Sequence, residues 1–192
     1  MEQRTAIARD SKFLTRDEDG NLYIEGYFAV YNSRYDLWDG AYETIAPGAF
    51  DGQINGDVRA LVNHDSTLVL GRTTAGTLTL RTDDKGLWGS IIVNQEDQDA
   101  MNLYERVKRG DVSQCSFGFD ILDQDVTYED GEPTVWTIKK VRLYEVSVVT
   151  FPAYQDTSVG VRKKDYSHLV AKRHEAWKAK ALARLRGTYE NH

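Results

Sequence analysis

NLYIEGYFAVYN, residues 21–32, decides the fold class. Leu22, Ile24, Gly26, Phe28 and Val30 fall on one side of an extended chain, and Tyr23, Glu25, Tyr27, Ala29 and Tyr31 on the other. A period of two in aromatic and β-branched residues is the signature of a strand. DEDGN just before it reads as a turn. The same kind of pattern recurs downstream. Asp57–His64 (DVRALVNH) predicts a second strand, and Gly76–Asp84 a third, which turns at Lys85–Gly86 into Leu87–Asn94. VSQCSFGFDIL, from Val112, makes a fifth. After a turn at Asp130–Gly131, TVWTIKKVRLYEVSVVT holds one or two more.

Helical signals are fewer. Glu96–Gly110 has acidic residues in its first turn, Lys108 and Arg109 in its last, and Gly110 as a stop. Met101, Tyr104 and Val107 would share its apolar face. Ala46–Ile54 predicts a short turn of helix. Lys163–Gly187 predicts a long basic helix with a narrow stripe of Tyr166, Leu169, Val170, Trp177, Ala181 and Leu185. The chain therefore reads as α+β, mostly β. Residues 1–160 form the body, and residues 161–192 a basic helical tail. Many antiparallel strands with few helices predict an α+β fold or a closed barrel.

Composition narrows the class. At 192 residues, 41% hydrophobic and 28% charged, the chain suits one globular domain with an appendage. No apolar run approaches the roughly 20 residues of a membrane-spanning helix. The opening MEQRTAIARDSKF lacks the apolar stretch of a signal peptide. A single cysteine excludes an internal disulfide framework, and the reading is of a reduced, intracellular protein. The net charge of −6 divides unevenly: residues 162–192 carry 9 Lys and Arg against 3 Asp and Glu, the rest 15 against 27. An acidic body disfavours nucleic acid as a ligand, because phosphate binding needs positive surface.

Several chemistries are missing. There is no glycine-rich phosphate loop, no HExxH, no histidine–cysteine set for zinc and no GxSxG elbow. Neither a metal nor a cofactor is expected. His168 and His174 lie on the tail and His192 at the terminus, so His64, in ALVNHDS, is the one histidine of the body. It reads either as a structural residue or as the base that a serine nucleophile requires.

VSQCSFGFD offers Ser113, Cys115 and Ser116 as nucleophiles. Alternation puts Ser113 and Cys115 with Phe117 and Phe119, the face marked for the core, where a cysteine is a small inert hydrophobe. Ser116 points the other way, beside Gly118, and is preferred, provided no bulge exchanges the faces. In VRLYEVSVV, Glu145 falls with Val141, Leu143, Ser147 and Val149. A carboxylate there needs a partner, either a structural ion pair or the histidine it would orient.

NHD followed by LGRT, KRGDVSQCSFGF and LYEVSVVTFPAY, with EGYFAVYN and ETIAPGAF nearer the N-terminus, together resemble the tailed-phage prohead proteases, which mature capsids. The resemblance runs from about Gly26 to Val159. It implies a serine endopeptidase on a fold related to the herpesvirus maturation proteases, an antiparallel β-barrel flanked by a few helices. It places the catalytic histidine on His64, the serine on Ser116 and the acidic member on Glu145. It implies the major capsid protein and its scaffolding segment as partners and substrates, self-cleavage, self-association, and a site of action inside the assembling prohead in the host cytoplasm. No membrane and no nucleic acid is implied. For the oxyanion, Arg72 and the segment around Gly118 are candidates. Two competing readings are a Cys115-dependent protease and a non-enzymatic capsid-assembly module on the same fold.

Overall fold

The computed structural model describes residues 13–129 and 132–151, the backbone of residues 4–7, and Tyr166, Ser167, Val170, Ala171, Glu175 and Lys178. By contacts the chain divides into two units, Met1–Ala153 and Tyr154–His192. The six described residues of the second unit are helical, and Glu175 pairs with Lys178 one turn on at 3.1 Å. The rest of the helix predicted over Lys163–Gly187 lies outside the described residues.

In chain order the first unit holds β1 (Arg4–Ile7), β2 (Leu14–Glu18), β3 (Asn21–Val30), β4 (Tyr35–Trp38), β5 (Ala41–Ile45), β6 (Arg59–Val62), β7 (Asp65–Arg72), β8 (Leu78–Thr82), β9 (Gly86–Ile92), α1 (Gln98–Arg109), β10 (Gln114–Thr127) and β11 (Thr134–Val149). One sheet runs β1-β10-β11-β5-β4, with β6 joined to β11 and β7 to β6; the other runs β2-β3-β9-β8. The α+β, mostly β expectation therefore holds, but the strands make two open sheets and no closed barrel. They are not all antiparallel either. The first half of β11 pairs parallel with β5 and the second half parallel with β6. Parallel neighbours need long crossovers, and here β7 to β10 and α1 supply the connection. By serving two partners in turn, β11 forks its sheet.

One core lies between the sheets. Phe28, Phe50, Phe117, Phe119, Ile24, Leu87 and Ile91 are its largest members, all essentially inaccessible. Phe117 stacks on Phe119 with centroids 4.7 Å apart and meets the edge of Phe50 at 5.3 Å. Phe50 arrives from Ala46–Ile54, which is a run of turns instead of the predicted helix. Successive i to i+3 bonds from Ala49, Asp51 and Gln53 hold it. Gly48 and Gly52, at φ of 85° and 73°, break any helical continuation.

The alternation read in β3 holds from Leu22 to Phe28 and then slips. Tyr27 faces Trp88, but Ala29 already faces Leu87, so Phe28 is an extra residue in a bulge. Ala29 and Tyr31 consequently turn into the core, opposite to their predicted side. Asp19 and Gly20, both at positive φ, form the predicted turn before β3.

Helix α1 begins and ends as its sequence dictates. The Asp97 carboxylate accepts from the N–H groups of Asp99 and Ala100, and Gly110, left-handed at φ 87°, closes the C-terminus on the carbonyls of Arg106 and Val107. Ala100, Leu103, Tyr104 and Val107 are its buried face. The helix lies against β2 and β3 and delivers the chain into β10 four residues later.

Candidate active site

The site is built on the register of three strands. Along β10 and β11, Cys115 faces Val148, Ser116 faces Ser147, Phe117 faces Val146, and Gly118 faces Glu145. Residues directly opposite one another share a face. Cys115, Phe117, Val146 and Val148 therefore lie together in the core, and Ser116, Gly118, Glu145 and Ser147 lie together on the other side. The parity expected of β10 is observed: Ser116 leaves the phenylalanine face. It is nonetheless fully buried.

Glu145 is where the expected face assignment fails. After Gly118 opposite Glu145, Phe119 stands opposite Leu143, so Tyr144 is an extra residue on β11. The bulge turns Val141 and Leu143 to the core and leaves Glu145 and Ser147 on the serine face. Glu145 therefore does not share a face with Val141 and Leu143. It sits among polar groups, 4% exposed.

His64 comes from a turn instead of the predicted strand end. β6 stops at Val62, which pairs with Asp65, leaving Asn63 and His64 as a two-residue loop. Both have positive φ, 49° and 62°, as a type I′ hairpin turn requires at its two central residues. Asparagine is at home in the first place; the second usually takes glycine, and a histidine there costs on the order of 1 kcal/mol. Hydrogen bonds to β11 hold the loop. Asn63 donates its N–H to Val148 O at 3.0 Å, Asn63 Oδ1 accepts from Thr150 N at 2.9 Å, and His64 donates its N–H to Ser147 Oγ at 3.2 Å.

The side chains then converge. His64 Nδ1 is 2.7 Å from Glu145 Oε1. With the carboxylate ionised, Nδ1 carries the hydrogen and donates it, which leaves the lone pair on Nε2. Ser147 Oγ donates to Glu145 Oε2 at 2.6 Å. Two charge-assisted bonds thus offset the burial of Glu145. His64 Nε2 is buried and has no hydrogen-bond partner among the described residues, an unusual condition for a buried polar atom. A basic nitrogen with its tautomer fixed from behind and its lone pair unspent is equipped to take a proton. An open cleft of about 490 Å³ is lined by Asn63, His64, Val149, Thr150 and Phe151, with Phe151 80% exposed.

The remaining candidates fall elsewhere. Arg72 is committed to Asp57, donating from Nε at 2.6 Å and from its second terminal nitrogen at 2.7 Å. These bonds, with Arg59 adding to them, hold the Asp57 carboxyl down to about 2. Gly118 stays on the face of Ser116, between Glu145 on β11 and Thr5 on β1. Cys115 is fully buried, with its Sγ 3.0 Å from the Tyr27 carbonyl oxygen. Iodoacetamide applied to the native protein is accordingly expected to leave the Cys115 thiol unmodified, as the intact mass before and after treatment will show. Ser147, read from the sequence only as a neighbour of Glu145, is the polar residue whose part went unrecognised. Its position two residues after a buried carboxylate was the available signal, but the Tyr144 bulge hid which face the two share.

Residues 10–172 match a family described as caudovirus prohead serine protease. The chain is 30% identical over 151 residues to the prohead protease of Enterobacteria phage HK97, covering 76% of this chain and 62% of that one. It is 29% identical over 108 residues to the prohead protease of Escherichia phage T5, covering 56% and 47%. The chain thus spans about three-fifths of the first relative's length and about half of the second's. No solved structure matches it.

Proposed function

We propose that this chain, which belongs to the caudovirus prohead serine protease family, is a serine endopeptidase that cuts the scaffolding segment of the phage major capsid protein, and itself, inside the assembling prohead. The observation that carries the reading is the His64–Glu145 pair, 2.7 Å apart, with Glu145 on the face that Ser116 occupies and Nε2 without a hydrogen-bond partner among the described residues.

In this scheme His64 Nε2 takes the proton of Ser116 Oγ as the oxygen attacks the scissile carbonyl. Glu145 stabilises the imidazolium through the Nδ1–H bond. The tetrahedral intermediate collapses, His64 returns the proton to the leaving amine, and an acyl-Ser116 remains. Water, deprotonated by His64, releases the acid and restores the serine. The bond between Ser116 and Nε2 forms when substrate binds, as catalytic hydrogen bonds often do. To hold the oxyanion, Arg72 would first have to leave Asp57, and the peptide N–H groups around Gly118 lie between β1 and β11. The cleft beside His64, with Val149 and Phe151, receives an apolar substrate side chain.

Co-expression with the cognate major capsid protein tests the reading. The expected result is a capsid protein shortened at one end, its cut site given by the mass of the product. A full-length capsid protein that co-purifies with this chain would instead identify an assembly module without catalysis.

A further inference from the structure

We propose that Ser147 is a positioning residue for the catalytic base, one hydroxyl that fixes both the main chain of His64 and the carboxylate behind its ring. The proposal rests on the reading of His64, Glu145 and Ser116 as a protease site. Three hydrogen bonds close a ring. The His64 N–H donates to Ser147 Oγ at 3.2 Å, Ser147 Oγ donates to Glu145 Oε2 at 2.6 Å, and Glu145 Oε1 meets His64 Nδ1 at 2.7 Å.

The directions follow from the groups. A backbone N–H only donates, so Ser147 Oγ accepts there, and its own hydrogen is left for the carboxylate. With Oε2 occupied, Oε1 is the oxygen presented to the imidazole, and rotation of the carboxylate is blocked. A chain running N–H to O–H to carboxylate also polarises each bond in the next. Ser147 is fully buried, so no solvent competes for these bonds.

The same contacts exclude Ser147 as the nucleophile. Its hydroxyl is spent on Glu145, behind the Nδ1 edge of the ring, whereas the nitrogen that takes a proton is Nε2. The residue touches neither substrate nor the reacting atoms in this scheme. Its work is to hold His64 in a left-handed turn and to hold the tautomer that leaves Nε2 unprotonated.

The test compares Ser147→Ala and Ser147→Thr with the parent chain on a capsid-derived peptide. Ser147→Ala is expected to lower kcat about 10- to 100-fold with KM little changed. The ¹⁵N resonances of the neutral His64 ring should move toward the Nε2–H tautomer, which a merely structural role would not bring about. Ser147→Thr keeps the hydroxyl and should recover most of kcat. Unchanged kcat in Ser147→Ala overturns the proposal, as does a fall in kcat with the tautomer unmoved or an equal loss in Ser147→Thr. Should Ser147→Ala not fold, Ser147→Cys, whose thiol is a weak donor of similar reach, is read in the same way. An active parent with an indifferent Ser147→Ala sinks this proposal alone; an active Ser116→Ala sinks the site reading beneath it.

Discussion

Ser116→Ala is expected to lower the rate of peptide cleavage about 10⁴- to 10⁶-fold while leaving the fold intact. The loss is large because in the proposed site serine, histidine and carboxylate act as a unit, so removing the nucleophile forfeits what the other two contribute. The fold survives because alanine occupies nearly the same volume in a strand fixed on both sides, by Ile7 of β1 and Ser147 of β11. KM should change little, since the hydroxyl adds little to ground-state binding. The measurement is kcat and KM on a capsid-derived peptide, with a thermal melt as control. Ser113→Ala, just outside β10, and Cys115→Ala, on the core face, should stay within about tenfold of the parent. An inactive Cys115→Ala beside an active Ser116→Ala would transfer the nucleophile to the thiol.

Glu145→Gln should cost about 10³- to 10⁴-fold in kcat. An amide of nearly the same shape can turn its NH₂ toward Nδ1, and the imidazole then places its hydrogen on Nε2, the nitrogen that must accept one. The variant keeps partners for its neighbours and should melt close to the parent. Glu145→Ala separates chemistry from stability. It strands the Nδ1–H of His64 and the hydroxyl of Ser147 in a buried site, at roughly 1–3 kcal/mol for each unsatisfied group. A lower urea midpoint for Glu145→Ala, with Glu145→Gln close to the parent, is the expected pattern. If Glu145→Gln keeps activity within tenfold, the carboxylate serves only as structure.

How far the sequence carried this reading is clearest residue by residue. Alternation from Leu22 to Phe28, Asp19–Gly20 before it, and the Asp97 cap and Gly110 stop of α1 are local signals, and the structure repeats them. On β10 the phenylalanines at 117 and 119 marked the core face correctly, and Ser116 followed. Bulges were not legible. An extra residue such as Tyr144 or Phe28 leaves no local mark, because its cause is the fit of one strand to its partner. Nor were the pairings: nothing in RALV or TVWTI announces a parallel neighbour. DSTLVLGR opens on three polar residues that do not mark a strand, and this conceals the hairpin whose two-residue tip is Asn63–His64. Asn before His between two extended runs was the available clue, obscured because glycine is the residue expected second.

The parallel seam between β6 and β11 sets when the proposed site can exist as well as where its groups lie. Glu145 aligns with Arg59, and Val148 with Val62, pairs whose members stand 86 positions apart in the chain. Pairings so remote in sequence must meet a large loop-closure cost before they return any stability, and they form slowly. A slip of one position along this seam would turn the side chains of β6 to the other side of the sheet and carry His64 out of register with Glu145. Until the seam closes in register, His64 and Ser116 belong to separate pieces of chain and the proposed site does not exist. Topology thereby sets a delay between synthesis and the assembly of that site.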